Sequence, residues 1–148
     1  MKIRKVKKED RDEWARIRNE LWPESPEEHL NEIDHFFSHR EDNDQEVYVL
    51  SRESGKLGGF IELRIRNYAE GTSSPEVPYL EAWYVDPDLR GKGYGEKLMS
   101  TAEQWALEKG FNELASDTEI DNELSMKIHK KLGFKEVDRI VCFLKKLE

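Results

Sequence analysis

Six consecutive residues, Arg90-Gly91-Lys92-Gly93-Tyr94-Gly95, are the part of this 148-residue chain best suited to chemistry. Alternate glycines let the backbone aim its N–H groups at one point, and two cations stand among them. The apolar positions Leu98, Ala102, Trp105 and Ala106 that follow mark a helix, whose positive dipole end opens at the turn. Such a turn binds an anion; the plainer alternative is a tightly capped passage from strand to helix. The Gly-Lys-Ser/Thr ending of a triphosphate loop is missing, and the third glycine comes one position early for a dinucleotide fingerprint. Upstream, Glu81 interrupts the apolar strand Tyr79-Leu80-Glu81-Ala82-Trp83-Tyr84-Val85. A carboxylate there is costly unless it is paired or used. The reading its surroundings give is an ion pair with Arg64 or Arg66 on the preceding strand. Asp117 closes a short strand at a place where open sheets bind ligands, or else prepares the start of the next helix.

These residues need a frame, and hydrophobic periodicity supplies one. Residues 1–6 read as a first strand. Two helices follow, over 9–21 (Trp14, Ile17, Leu21) and 26–39 (Leu30, Ile33, Phe37), the second with Ser25 as N-cap and Pro26 at its first position. Residues 46–51 and 57–65 form a hairpin around Ser54-Gly55, and residues 67–78 a long loop. A strand over 79–85, a helix opening at Gly93, a short strand over 113–116, a helix over 123–132 and a last strand over 140–144 complete the order. The hairpin demands antiparallel pairing and the later crossovers parallel pairing, so the expected sheet is mixed. No repeat or long linker divides the chain, which reads as one domain over 1–148.

Composition narrows the partners. Twenty-four Lys and Arg against 32 Asp and Glu leave a net charge of −8. The segment from Glu24 to Glu46 holds nine acids and one base, Arg40, and so carries that whole excess. Nucleic-acid binding depends on neutralising phosphates and is not expected; a cationic partner is. No apolar run approaches the roughly 20 residues of a membrane span, the start has no signal-peptide character, and the single Cys142 forms no internal disulfide. A cytoplasmic protein is expected. Cys142, in the context of a buried strand, has no base directed at it, and His35 and His39 lack the intervening Glu of a hydrolytic zinc helix. No metal site is expected.

Arg90-x-x-Gly93-x-Gly95, after a strand ending Tyr84-Val85-Asp86-Pro87, resembles the acetyl-CoA pyrophosphate loop of the GNAT N-acetyltransferases. Asn122 through Ser125 and His129 to Leu132-Gly133-Phe134 resemble that family's downstream Asn, helix and Leu-Gly-Phe stretch. Leu21-Trp22-Pro23, the 68–75 loop with Gly71, Leu80-Glu81, Ala115-Ser116-Asp117 and the chain's end resemble the aminoglycoside 6′-N-acetyltransferases. The resemblance implies a GNAT fold of the α+β class, a central mixed sheet flanked by four helices. It implies acetyl-CoA as cosubstrate, held by the backbone of Tyr84 and Val85, by Arg90, Gly91, Lys92, Gly93, Tyr94 and Gly95, and by Asn122 and His129. Glu81 and Asp117 become the catalytic pair, Glu81 as base or base-orienter. Trp22, Tyr68, Glu81, Asp117 and Asp138 become contacts to a polycationic aminoglycoside, whose 6′-amine attacks the thioester directly in a ternary complex. Trp22 and Tyr68 otherwise read as ordinary packing or loop aromatics, and His129 either donates a proton or packs. A homodimer is implied, with Asp138 near a neighbour's site. Another amine, such as a polyamine or a protein N-terminus, and a CoA-binding module without turnover stay open as alternatives.

Overall fold

The computed structural model describes residues 1–23 and 25–148. Strand β1 (Lys2–Lys5) leads through a short 3-10 turn to helices α1 (Arg11–Leu21) and α2 (Pro26–Ser38). Strands β2 (Gln45–Ser51), β3 (Leu57–Arg66) and β4 (Val77–Val85) follow, then α3 (Tyr94–Glu108) and α4 (Glu123–Lys131). Local chemistry sets the boundaries. Asp10 Oδ2 accepts the Lys7 N–H at 2.8 Å ahead of α1, Ser25 Oγ accepts the Glu28 N–H at 3.3 Å over Pro26, and Asn122 Oδ1 accepts the Ser125 N–H at 3.0 Å.

The sheet runs β1-β2-β3-β4 with every neighbour antiparallel. Alternation along β3 divides the core between the two faces. Phe60 joins Trp14, Ile17, Ile33 and Phe36 beneath α1 and α2; Ile61 and Leu63 join Leu98, Met99, Ala102 and Trp105 beneath α3. The helices thereby cover opposite faces, and β4 is left as an edge. Pro78, read as loop, lies inside β4, where an edge strand tolerates its missing N–H.

The α+β architecture expected from the sequence is present, with four helices around a sheet, but the parallel half contracts. Residues 113–116 form one parallel bridge, Tyr79 to Ala115, made by Leu80 N–H to Ala115 O at 2.8 Å and Ala115 N–H to Pro78 O at 2.9 Å. Beyond it the chain leaves β4. The strand expected at 140–144 does not form among the described residues: with no neighbouring strand to complete a ladder, its alternating apolar residues stay open, Phe143 at 91% and Leu144 at 92% exposure. Cys142 shares that fate and is exposed, against the buried strand context read from the sequence.

Candidate active site

The anion turn stands at the end of β4. Asp86 and Pro87 stop the strand, and the chain reaches α3 through Gly91 at φ +76° and Gly93 at φ +88°, left-handed conformations that favour glycine. Nothing lies within 4 Å of a Cβ built on either residue, so the space before both is open. The first intrahelical bond is Lys97 N–H to Gly93 O, which leaves the amides of the first turn of α3 directed outward with the helix dipole behind them. Gly95 O accepts the Trp83 indole N–H at 3.0 Å and locks the turn to the strand. Since the Asp86 N–H bonds to Gly58 O, alternation turns the Val85 amide away from β3, toward the unpaired edge. Val85 O on that side accepts Arg90 Nε at 2.8 Å. Tyr84 is buried, its hydroxyl 3.1 Å from Asp86, and the same alternation turns its N–H and carbonyl toward β3, so of the two residues expected to meet the coenzyme through backbone only Val85 faces the open edge.

Glu81 owes its position to an irregularity. Glu62 of β3 pairs with Ala82 and Leu63 pairs with Leu80, so Glu81 is the extra residue of a β-bulge. Ala82 packs under α1 and α2 and Leu80 under α3, while Glu81 turns to the α1/α2 side, where it lines a cavity of about 1290 Å³. A bulge re-aims one side chain while its neighbours stay packed. The ion-pair partner is Arg66: its Nε donates to Glu81 Oε1 at 2.8 Å and its Nη2 to Oε2 at 2.5 Å, which pushes the guanidinium further up from its already high pKa. Arg66 also lies 3.6 Å above the centre of the Tyr79 ring, and the Tyr79 hydroxyl donates to Asp117 Oδ2 at 2.6 Å. Burial and then that bond hold the Tyr79 phenol well above its ordinary value. Glu81 and Asp117 thus belong to one chain of contacts, Glu81 to Arg66 to Tyr79 to Asp117.

The large cavity sets Glu32, Asp44, Glu62, Glu76 and Glu81 against Arg18, Arg64 and Arg66 in its wall, an excess of two acids. Glu62 accepts the Trp14 indole N–H at 2.9 Å, and Arg18 Nε lies 3.2 Å from it while the same guanidinium bonds Glu32. Burial pushes the Glu62 carboxyl above the usual carboxylate range, against the opposing pull of Arg18 and Trp14. Trp22 caps α1, stands half-buried in the cavity wall beneath Arg18 (5.3 Å), and its carbonyl meets His29 Nε2 at 2.8 Å. The acids of the 24–46 segment are in part committed to ion pairs, Asp34 with Arg11 and Glu46 with Arg40 and Lys5. Glu24 lies outside the described residues.

The remaining candidates divide. Asp117 and Asp138 line a second hollow of about 540 Å³ together with His129. Tyr68 is 66% exposed and lines neither hollow. His129 is held on every side: Nδ1 faces the Ser125 carbonyl at 2.8 Å and must carry the proton, so Nε2 accepts from Ser116 Oγ at 2.8 Å, with Trp83 and Phe134 packed edge-on. That is the packing alternative of the sequence reading. Asn122 serves as the α4 cap. Sequence reasoning left out Arg18, Glu62 and Tyr79; a carboxylate at an inward position of β3 opposite Trp14 was the available signal.

Residues 12–134 match the acetyltransferase (GNAT) family. An aminoglycoside N(6')-acetyltransferase type 1 of Klebsiella aerogenes is 40% identical over 146 residues, covering 98% of this chain and 96% of that protein. One from Stenotrophomonas maltophilia is 34% identical, covering 99% and 94%. Among solved structures, the apo aminoglycoside 6'-N-acetyltransferase AAC(6')-IG from Acinetobacter haemolyticus superposes with a TM-score of 0.90 at 31% identity over the whole of both chains. AAC(6')-Iy, solved with the bisubstrate analogue CoA-S-monomethyl-acetylneamine, gives 0.89 at 31% identity, covering 98% of this chain and 97% of that one.

Proposed function

This chain belongs to the acetyltransferase (GNAT) family, and on that footing we propose that it is an acetyl-CoA-dependent N-acetyltransferase of the aminoglycoside 6′-amine, an antibiotic-resistance activity. One observation carries the reading. β4 ends in an open, glycine-built amide turn and, four residues before that end, bulges a carboxylate into an acidic hollow.

In this reading the amides of residues 91–95, with Arg90 and Lys92, hold the coenzyme's diphosphate, and the outward Val85 amide receives the pantetheine arm. Tyr84, its main chain turned to β3, supports this strand; His129, packed edge-on against Trp83, and Asn122, the cap of α4, are further contacts to the coenzyme in this reading. The aminoglycoside lies along the acidic cavity with Trp22 as a wall for a sugar ring, and Asp117, Asp138 and Tyr68 contact its outer part. An aliphatic ammonium must lose a proton before it can attack, and Glu81 takes that proton directly or through water. The amine then bonds to the thioester carbon, main-chain N–H at the end of β4 stabilises the developing oxyanion, and as the C–S bond breaks the proton shed by the acylated nitrogen passes to the departing thiolate, which leaves as free thiol.

The enzyme acts as a homodimer in the cytoplasm, where acetyl-CoA is produced. The exposed tail apolar residues Ile140, Val141, Phe143 and Leu144 support the dimer, because a second copy would cover them. Incubation with acetyl-CoA and tobramycin or kanamycin releases free thiol, and analogues lacking the 6′-amine release none. A flat trace across all 6′-amino aminoglycosides, with turnover of a polyamine or a peptide N-terminus instead, would transfer the reading to that substrate.

A further inference from the structure

Arg66 is the one described residue that lines both hollows. On one side lies the cavity with Glu81, Glu62 and Glu32; on the other, the hollow with Asp117, Asp138 and Glu119. Its guanidinium forks onto both Glu81 oxygens and rests on the Tyr79 ring, yet its side chain keeps 37% of its exposure and Glu81 keeps 25%. A cation clamped at a carboxylate, partly open to solvent and standing between a hollow with an excess of acids and one whose acids are nearly balanced by Lys130, Lys135 and Arg139, occupies the place a substrate ammonium needs.

We propose that Arg66 is a displaceable stand-in for a substrate ammonium, closing the wall between the two hollows in the free enzyme and swinging off Glu81 when a polycationic aminoglycoside enters. This rests on the reading of the Glu81 cavity as the amine site. Displacement exchanges one charge-assisted pair for another, so the carboxylate is never left bare. It also releases the Tyr79 face, and through the Tyr79 hydroxyl the change reaches Asp117. Arg66 is therefore a positioning residue that sets how strongly a substrate must bind cationically to gain entry. A singly charged amine competes poorly with a bidentate guanidinium; a molecule with several ammonium groups competes well.

The test compares wild type, Arg66→Gln and Arg64→Gln, all saturated with CoA, by calorimetric titration with tobramycin and by steady-state kinetics with acetyl-CoA. Arg64 lines the same cavity and carries the same charge, so its loss measures the general electrostatic gain. Arg66→Gln should bind tobramycin about three- to tenfold more tightly than Arg64→Gln does, with KM falling in proportion and kcat not rising. Arg66→Lys, which keeps the charge but not the fork, should fall between wild type and Arg66→Gln, and guards against a folding defect in the latter. Equal or weaker binding by Arg66→Gln relative to Arg64→Gln makes Arg66 a fixed brace and overturns the proposal, even if wild type acetylates tobramycin. Tighter binding in a protein that acetylates nothing upholds the displaceable cation and overturns the activity. No binding by any of the four proteins overturns both.

Discussion

Replacing Gly93 by Ala separates coenzyme binding from folding. Gly93 sits at φ +88° with nothing within 4 Å of a built Cβ, so the new methyl group meets no atom of the protein and its cost is backbone strain, about 1–2 kcal/mol. Gly55, in the β2–β3 turn, has φ +90° and the same empty surroundings. The two substitutions should therefore lower the melting temperature of the free protein alike, by about 2–8 °C, taking 2–4 °C per kcal/mol for a chain of this size. They should part company once CoA is added. At 100 times its Kd a ligand adds about 2.7 kcal/mol to stability, a rise of roughly 5–11 °C. Gly55→Ala keeps that rise. In Gly93→Ala the Cβ points into the space the diphosphate takes, and most of the rise disappears. Differential scanning fluorimetry with and without CoA reads both numbers, and calorimetry gives the Kd directly. Full protection of Gly93→Ala by CoA would mean that the diphosphate is not held at this turn, and the assignment of β4 as the reacting strand would go with it.

Three further outcomes follow from the same geometry. Glu81→Gln keeps the shape and one hydrogen bond from Arg66; it should lower kcat by about 10²- to 10⁴-fold while CoA affinity stays the same, and turnover within twofold of wild type would acquit Glu81 as base. Asp10, 7% exposed, accepts two bonds from Arg4 (2.7 and 2.9 Å) and one from the Lys7 amide; burial opposes its ionisation, but these donors win and hold its carboxyl below the usual range. A depressed carboxyl stabilises the fold above its unfolded pKa and ceases to do so as pH falls through the folded one, so Asp10→Asn should cost about 2–3 kcal/mol in urea at pH 7, with the difference shrinking below about pH 4. Finally, Phe143→Ser together with Leu144→Ser should convert a two-chain sedimenting species into a one-chain species, since both side chains are open in the single chain; an unchanged sedimentation coefficient would place the contact elsewhere.

Much of the frame was legible in the amino-acid order because its causes are local. The cap at Ser25, the apolar stripe of α3, the Ser54-Gly55 turn and the glycine pattern before Tyr94 each depend on residues within a few positions of one another. The family resemblance rested on the same short-range motifs. What escaped depends on pairing at a distance. A period of two places every second residue of β4 on one face, and no residue in the strand announces that Glu81 is the one to be skipped; the bulge exists because Leu63 pairs with Leu80 while Glu62 pairs with Ala82. Register sets Arg64 opposite Tyr79, yet Arg66 took the carboxylate, with its guanidinium folded back onto the Tyr79 ring.

The β pattern of the last residues shows the same division from the other side. Alternation gave residues 140–144 the character of a strand, but a strand is completed only by a neighbour's hydrogen-bonding edge, and among the described residues none pairs with them. The amino-acid order by itself determined where the helices begin and end, where the anion turn lies and which carboxylates were available. Tertiary structure alone decided that Glu81 turns into the hollow, that Arg66 pairs with it and that the tail's apolar residues stay exposed, because those outcomes depend on the register of strands brought together from far apart in the chain.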